Sequence, residues 1–113
     1  MPVHILVEKA TAAQFADMLV DHTTMIKVVV DVRRGILAGG GDMHADSEQV
    51  LLDQGSAQDD LWGANWYPAD QRIEYESLIN IRPRLGNRSI MLQDEPLRQK
   101  VAAVIGAMLG GVE

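Results

Sequence analysis

Residues 25–41, MIKVVVDVRRGILAGGG, decide the fold. Val28, Val30 and Val32 alternate with Lys27, Val29, Asp31 and Arg33, the period of two that a β-strand imposes on its side chains. Arg34 and Gly35 turn the chain, and Ile36, Leu37 and Ala38 return as a short strand. A connection this tight joins antiparallel strands, because parallel neighbours need a long crossover. Gly39, Gly40 and Gly41 then lead out of the strand, Asp42 takes the N-cap position, and a helix of roughly three turns ends at Gly55.

The flanking segments extend this pattern. Residues 3–7 read as a β-branched strand, and Thr11 opens a helix in which Gln14 completes a capping box. Phe15, Met18 and Leu19 form its apolar stripe. Residues 61–67 and 72–79 make a second hairpin around Pro68, Ala69, Asp70 and Gln71. Trp62, Ala64 and Trp66 share one face of it, and Ile73 and Tyr75 alternate with Glu74 and Glu76. Residues 89–92 read as a short extended piece, and Asp94 caps a last helix. The order β-α-β-β-α-β-β-α with adjacent hairpins specifies an α+β fold, a mostly antiparallel sheet of about four or five strands with three helices packed on it.

Composition narrows the class. A chain of 113 residues, 47% hydrophobic and 23% charged, reads as a single globular domain over 1–113. The absence of cysteine excludes disulfides, a thiol nucleophile and thiolate metal sites. MPVHILVEK has no basic segment followed by a long apolar run, so no secretory signal is expected. The longest uncharged apolar run, residues 101–109, falls well short of the ~20 residues of a membrane helix. A net charge of −6 opposes general nucleic-acid binding, which draws its affinity from neutralising phosphates. The expectation is a cytoplasmic protein with no nucleic-acid or membrane partner.

In the last helix Leu97, Val101, Val104, Ile105 and Met108 form a core stripe, yet Ala102, Ala103, Gly106 and Ala107 leave the other side without a polar group. Such a helix is covered on both sides, either wedged between the sheet and the first helix or paired with a second copy. A homodimer through this helix is the expected partner arrangement.

Four groups of residues carry candidate chemistry. The first is the loop around Asn80, Arg82, Arg84, Asn87 and Arg88, where three of ten cationic side chains fall within seven residues of an acidic chain. Guanidinium groups suit carboxylates and phosphates through paired hydrogen bonds, so the loop reads as a site for a small anionic ligand. The competing reading is internal ion pairing with Glu74, Glu76, Asp42, Asp46 or Asp94. Trp62 and Trp66 are the second group, an apolar wall for such a ligand or core filling. The third is the glycine run with Asp42, which lacks any nucleotide-binding pattern and reads first as helix capping. The fourth is His44, Asp46 and Glu48. His44 and Glu48 share a helix face while Asp46 lies about 200° from His44, so no metal site is assigned and a solvated helix face is the simpler reading. No cofactor is implied. The competing functions are a small hydrolase or lyase using His44 with Asp46 or Glu48, and a structural partner protein built around the last helix.

GILAGGGDMHADSE, DLWGANWYP and ESLINIRPRLGNRSIMLQD together resemble a family of short bacterial proteins, many of them cyanobacterial, catalogued as a domain of unknown function. The resemblance runs from about Ile26 into the last helix. It implies a stand-alone domain of this size and assigns no activity, ligand or catalytic residue.

Overall fold

In the computed structural model, which describes residues 3–113, five strands form one antiparallel sheet: β1 Val3–Leu6, β2 Ile26–Asp31, β3 Ile36–Gly40, β4 Leu61–Tyr67 and β5 Arg72–Glu74. Their order across the sheet is β1-β3-β2-β4-β5. The helices are α1 Ala12–Met18, α2 His44–Asp53 and α3 Glu95–Leu109. Three single 3-10 turns, Gln58–Asp60, Leu78–Asn80 and Pro83–Leu85, lie between α2 and α3. The fold is α+β in the order β-α-β-β-α-β-β-α.

The alternation in β2 places its side chains on two buried faces. Val28 and Val30 join Trp62, Ala64 and Trp66 of β4 against Phe15 and Met18 of α1 and Val101, Ile105 and Leu109 of α3. Val29 joins Ile36, Ala38 and Leu61 against Leu51 of α2. The three consecutive valines are all fully buried because helices cover both faces of the sheet. Each contributes about 1.5–3 kcal/mol through burial. At the β2–β3 turn the buried Asp31 carboxylate accepts from the backbone N–H groups of Arg33 (3.0 Å) and Arg34 (2.9 Å) and from Ser56 Oγ (2.7 Å), tying the turn to the end of α2. Thr11 and Gln14 form the capping box of α1, and Asp94 accepts from Leu97 N–H to cap α3.

Four expectations are corrected. Gly39 and Gly40 belong to β3 and not to a loop, because β1 pairs with both and β2 pairs with Gly39. Hydrogen bonding along two edges outweighs glycine's weak strand preference. Asp42 is not the N-cap. Gly40 and Gly41 take positive φ (96° and 75°), and this bend starts α2 at His44, so Met43 holds the cap position and its N–H donates to Asp46 Oδ2 (3.2 Å). The second hairpin's returning strand stops at Glu74, not at residue 79, because the chain leaves the edge of β4 there and a side chain takes its place. Finally, α3 is not wedged between layers: Ala103, Gly106 and Ala107 are exposed, and α1 and α3 pack on the same face of the sheet. No helix among the described residues is long and apolar enough to cross a membrane.

Candidate functional site

The side chain that replaces the missing strand is Asn80. Its Nδ2 donates to Gly63 O (2.9 Å) and its Oδ1 accepts from Gly63 N–H (2.8 Å), so one carboxamide satisfies both backbone polar groups of a β4 residue as a neighbouring strand would. Nδ2 also reaches Ile90 O (3.3 Å). Gly63 permits this close approach: a Cβ there would lie 2.5 Å from Ser77 Cβ. The result pins the turn Leu78–Asn80 over β4 beside α2, and a cavity opens on each side of it.

The first cavity, about 330 Å³, is lined by Glu48, Gln58, Asp59, Arg82 and Arg84, among others. Arg82 donates to Glu48 Oε2 (2.8 Å), to Leu61 O (2.8 Å) and to Gln58 O, and its guanidinium lies over the Trp62 ring (5.2 Å). Only 11% of the Arg82 side chain and 15% of Glu48 is exposed, so this is a largely buried pair bracing α2 against the turn before β4. Burial pulls the Arg82 guanidinium below its ordinary value, and the Glu48 and Asp59 carboxylates oppose the shift. Arg84 pairs with Asp59 at the surface, and Arg88 is exposed with no ion pair among the described residues. The acidic partners are thus Glu48 and Asp59, and none of the five carboxylates read from the sequence. Asn87 is buried and holds the loop together: Nδ2 donates to the carbonyls of Asn80, Ser89 and Met91, while Oδ1 accepts from Gln93 N–H. Trp62 and Trp66 are core residues, 4% and 3% exposed.

The second cavity, about 380 Å³, lies between the start of α2 and the same turn. Met25, Met43, Leu78, Ile79 and Ile90 give it apolar walls, and Lys27, His44, Asn65, Glu76 and Ser77 are its polar members. His44 is buried here and is not on a solvated helix face. Its Nε2 lies 2.8 Å from Ala64 O. A carbonyl only accepts, so Nε2 carries the proton and Nδ1 of the neutral ring holds a lone pair. Burial is the main cause that lowers the His44 pKa, with Lys27 and His22 adding to it and the Ala64 carbonyl and Asn65 opposing. Beside it stands Asn65, 7% exposed. Its Nδ2 donates to Glu74 Oε1 (2.8 Å) and Glu76 O (3.4 Å), but its Oδ1 is buried without a donor.

His44, Asp46 and Glu48 therefore do not converge. Glu48 binds Arg82 in the first cavity, Asp46 caps α2, and His44 lines the second cavity, which contains none of the arginines. His22 turns to Asp42 and His4 to Asp17. Among the described residues no three His, Cys, Asp or Glu side chains are grouped to hold a metal ion. Lys27, Asn65 and Glu76 escape sequence reasoning as site residues. The one available signal is Asn65, a strand-averse polar residue in the middle of an otherwise apolar strand.

The chain belongs to a family described as "Protein of unknown function (DUF5674)", whose model matches residues 4–108. No curated protein and no solved structure matches it.

Proposed function

We propose that this DUF5674 domain is a small-molecule-binding module and that its ligand occupies the cavity between α2 and the turn Leu78–Asn80. The observation that carries this reading is the buried, donorless Oδ1 of Asn65, in a cavity it shares with the Nδ1 lone pair of His44 and with the apolar side chains of Met25, Met43, Leu78, Ile79 and Ile90. An unsatisfied buried acceptor costs about 1–3 kcal/mol. A ligand that supplies a hydrogen-bond donor recovers that energy, and its apolar body gains by leaving water. The test is an NMR titration with 3-methylbutan-1-ol, a hydroxyl donor on a short branched chain. Amide shifts concentrated around Lys27, His44, Asn65 and Ile79, and lost in His44→Phe, are the expected result. Shifts scattered over the surface, or none at high concentration, reject the cavity as a site.

A second reading places a small anion in the neighbouring groove, and it draws support from Arg84, whose ion pair with Asp59 is exposed to exchange with solvent anions. Phosphate would then raise the melting temperature at fixed ionic strength, and Arg84→Ala would remove the rise. An equal rise in wild type and Arg84→Ala rejects it.

A further inference from the structure

We infer that the ligand of the His44–Asn65 cavity is a small zwitterion, an apolar body carrying a protonated amine and a carboxylate. This rests on the cavity being the binding site. Its basis is a pair of charges: Lys27 and Glu76 both line the cavity, both are half-buried, and neither side chain makes an ion pair or hydrogen bond among the described residues. Most other half-buried charges here are engaged. Arg82 has Glu48, and Glu74 accepts from Asn65 Nδ2 and Tyr67 Oη. Two unpaired opposite charges that do not neutralise each other, set in apolar walls, carry a desolvation penalty that a complementary ligand relieves.

Strand register places Lys27. Lys27 on β2 lies directly opposite Asn65 on β4, and Asn65 Nδ2 in turn reaches the Glu76 backbone. A cation, a neutral amide and an acidic residue thus border one cavity. The lining also holds acceptors without donors, the Glu76 carboxylate, Asn65 Oδ1 and His44 Nδ1, and a primary ammonium offers three donors. Lys27 is the one cation lining the cavity among the described residues, and it would meet a carboxylate. A simple anion would meet Glu76 and two lone pairs, and a simple cation would meet Lys27. Met25, Met43 and Ile79 leave an apolar space for the rest of the molecule.

Three probes with the same isobutyl body separate these alternatives: L-leucine, 3-methylbutylamine and 4-methylpentanoate, titrated by NMR into the full chain as wild type, Lys27→Met and Glu76→Gln. The expected result is tightest binding of leucine, with the amine and the acid each weaker by about tenfold or more. Lys27→Met should erase the advantage of leucine over the amine, and Glu76→Gln its advantage over the acid. If the amine or the acid binds as well as leucine, or both variants leave leucine binding unchanged, the charge assignment is overturned. If 3-methylbutan-1-ol shifts the cavity amides and leucine does not, the zwitterion is overturned while the cavity stands as a site. If none of the four molecules shifts those amides, both fall.

Discussion

Replacing Asn80 with alanine tests whether a side chain completes the sheet. Asn80 is fully buried, and its carboxamide is the partner of both backbone polar groups of Gly63. Asn80→Ala leaves a donor and an acceptor unpaired in a dry interior, each at about 1–3 kcal/mol. The weaker bond to Ile90 O is lost as well. Water entering the space left by the amide offsets part of this, so the expected loss is about 2–5 kcal/mol. Domains of this size hold about 5–15 kcal/mol in total. At roughly 4 °C per kcal/mol, the melting temperature should fall by about 8–20 °C. Urea unfolding followed by circular dichroism measures it, with an unchanged m-value to show that the midpoint reports stability. Asn80→Asp sharpens the experiment. An ionised carboxylate still accepts from Gly63 N–H but offers nothing to the carbonyls of Gly63 and Ile90. Burial raises its pKa in the folded state, so relative to wild type this variant recovers as pH falls and the acid regains a donor. A loss below about 0.5 kcal/mol for Asn80→Ala, within the range of ordinary surface substitutions, would refute the view that this amide closes the sheet edge.

Three further outcomes follow from the same geometry. Arg82→Ala strands the Glu48 carboxylate and should lower stability by about 3 kcal/mol in chemical denaturation, whereas Arg84→Ala at the exposed pair should change it by less than about 0.5 kcal/mol; similar losses for the two would refute the distinction. Gly106 is exposed within α3, and a Cβ there meets nothing within 4 Å, so Gly106→Ala should stabilise by about 0.5–1 kcal/mol in a thermal melt; a fall would mean that something packs on that face. His44 has a lowered pKa in the folded state, so the unfolded chain takes up the proton first as pH drops below about 6.5. Its contribution is flat above that pH and destabilising below it, down to the lowered folded value, with Lys27 and His22 as the neighbouring cations that reinforce the effect. Urea midpoints at several pH values should therefore show a stability decline on acidification that is shallower in His44→Phe.

The elements most legible in the sequence are those whose causes lie within a few residues. The valine alternation, the Thr11–Gln14 box and the Asp94 cap are local patterns, and the structure contains each of them. Even local patterns mislead where tertiary pairing intervenes. Gly39 and Gly40 look like loop residues until strands on both sides claim their backbone, and the strand after Pro68 looks long until Asn80 displaces its end. The site was far less legible. The arginine cluster stood out, but Arg82 meets Glu48 across 34 positions, and no pattern announces that pairing. His44 stands out by its chemistry, yet its companions Lys27, Asn65 and Glu76 each look ordinary in the chain.

The sequence by itself determined the strand and helix order, because side-chain period and capping act over one turn or one hairpin. It also determined which chemistries are absent, since a chain without cysteine has no thiol to offer. Only the tertiary structure decided which charges are spent on each other and which are left over. Arg82 and Glu48 pair because α2 and the chain after Asn80 meet over β4, whereas Lys27 and Glu76 line one cavity without pairing among the described residues. Desolvation and ion pairing depend on distances between segments remote in sequence, so the balance between a structural charge and a binding charge exists only once the chain has folded.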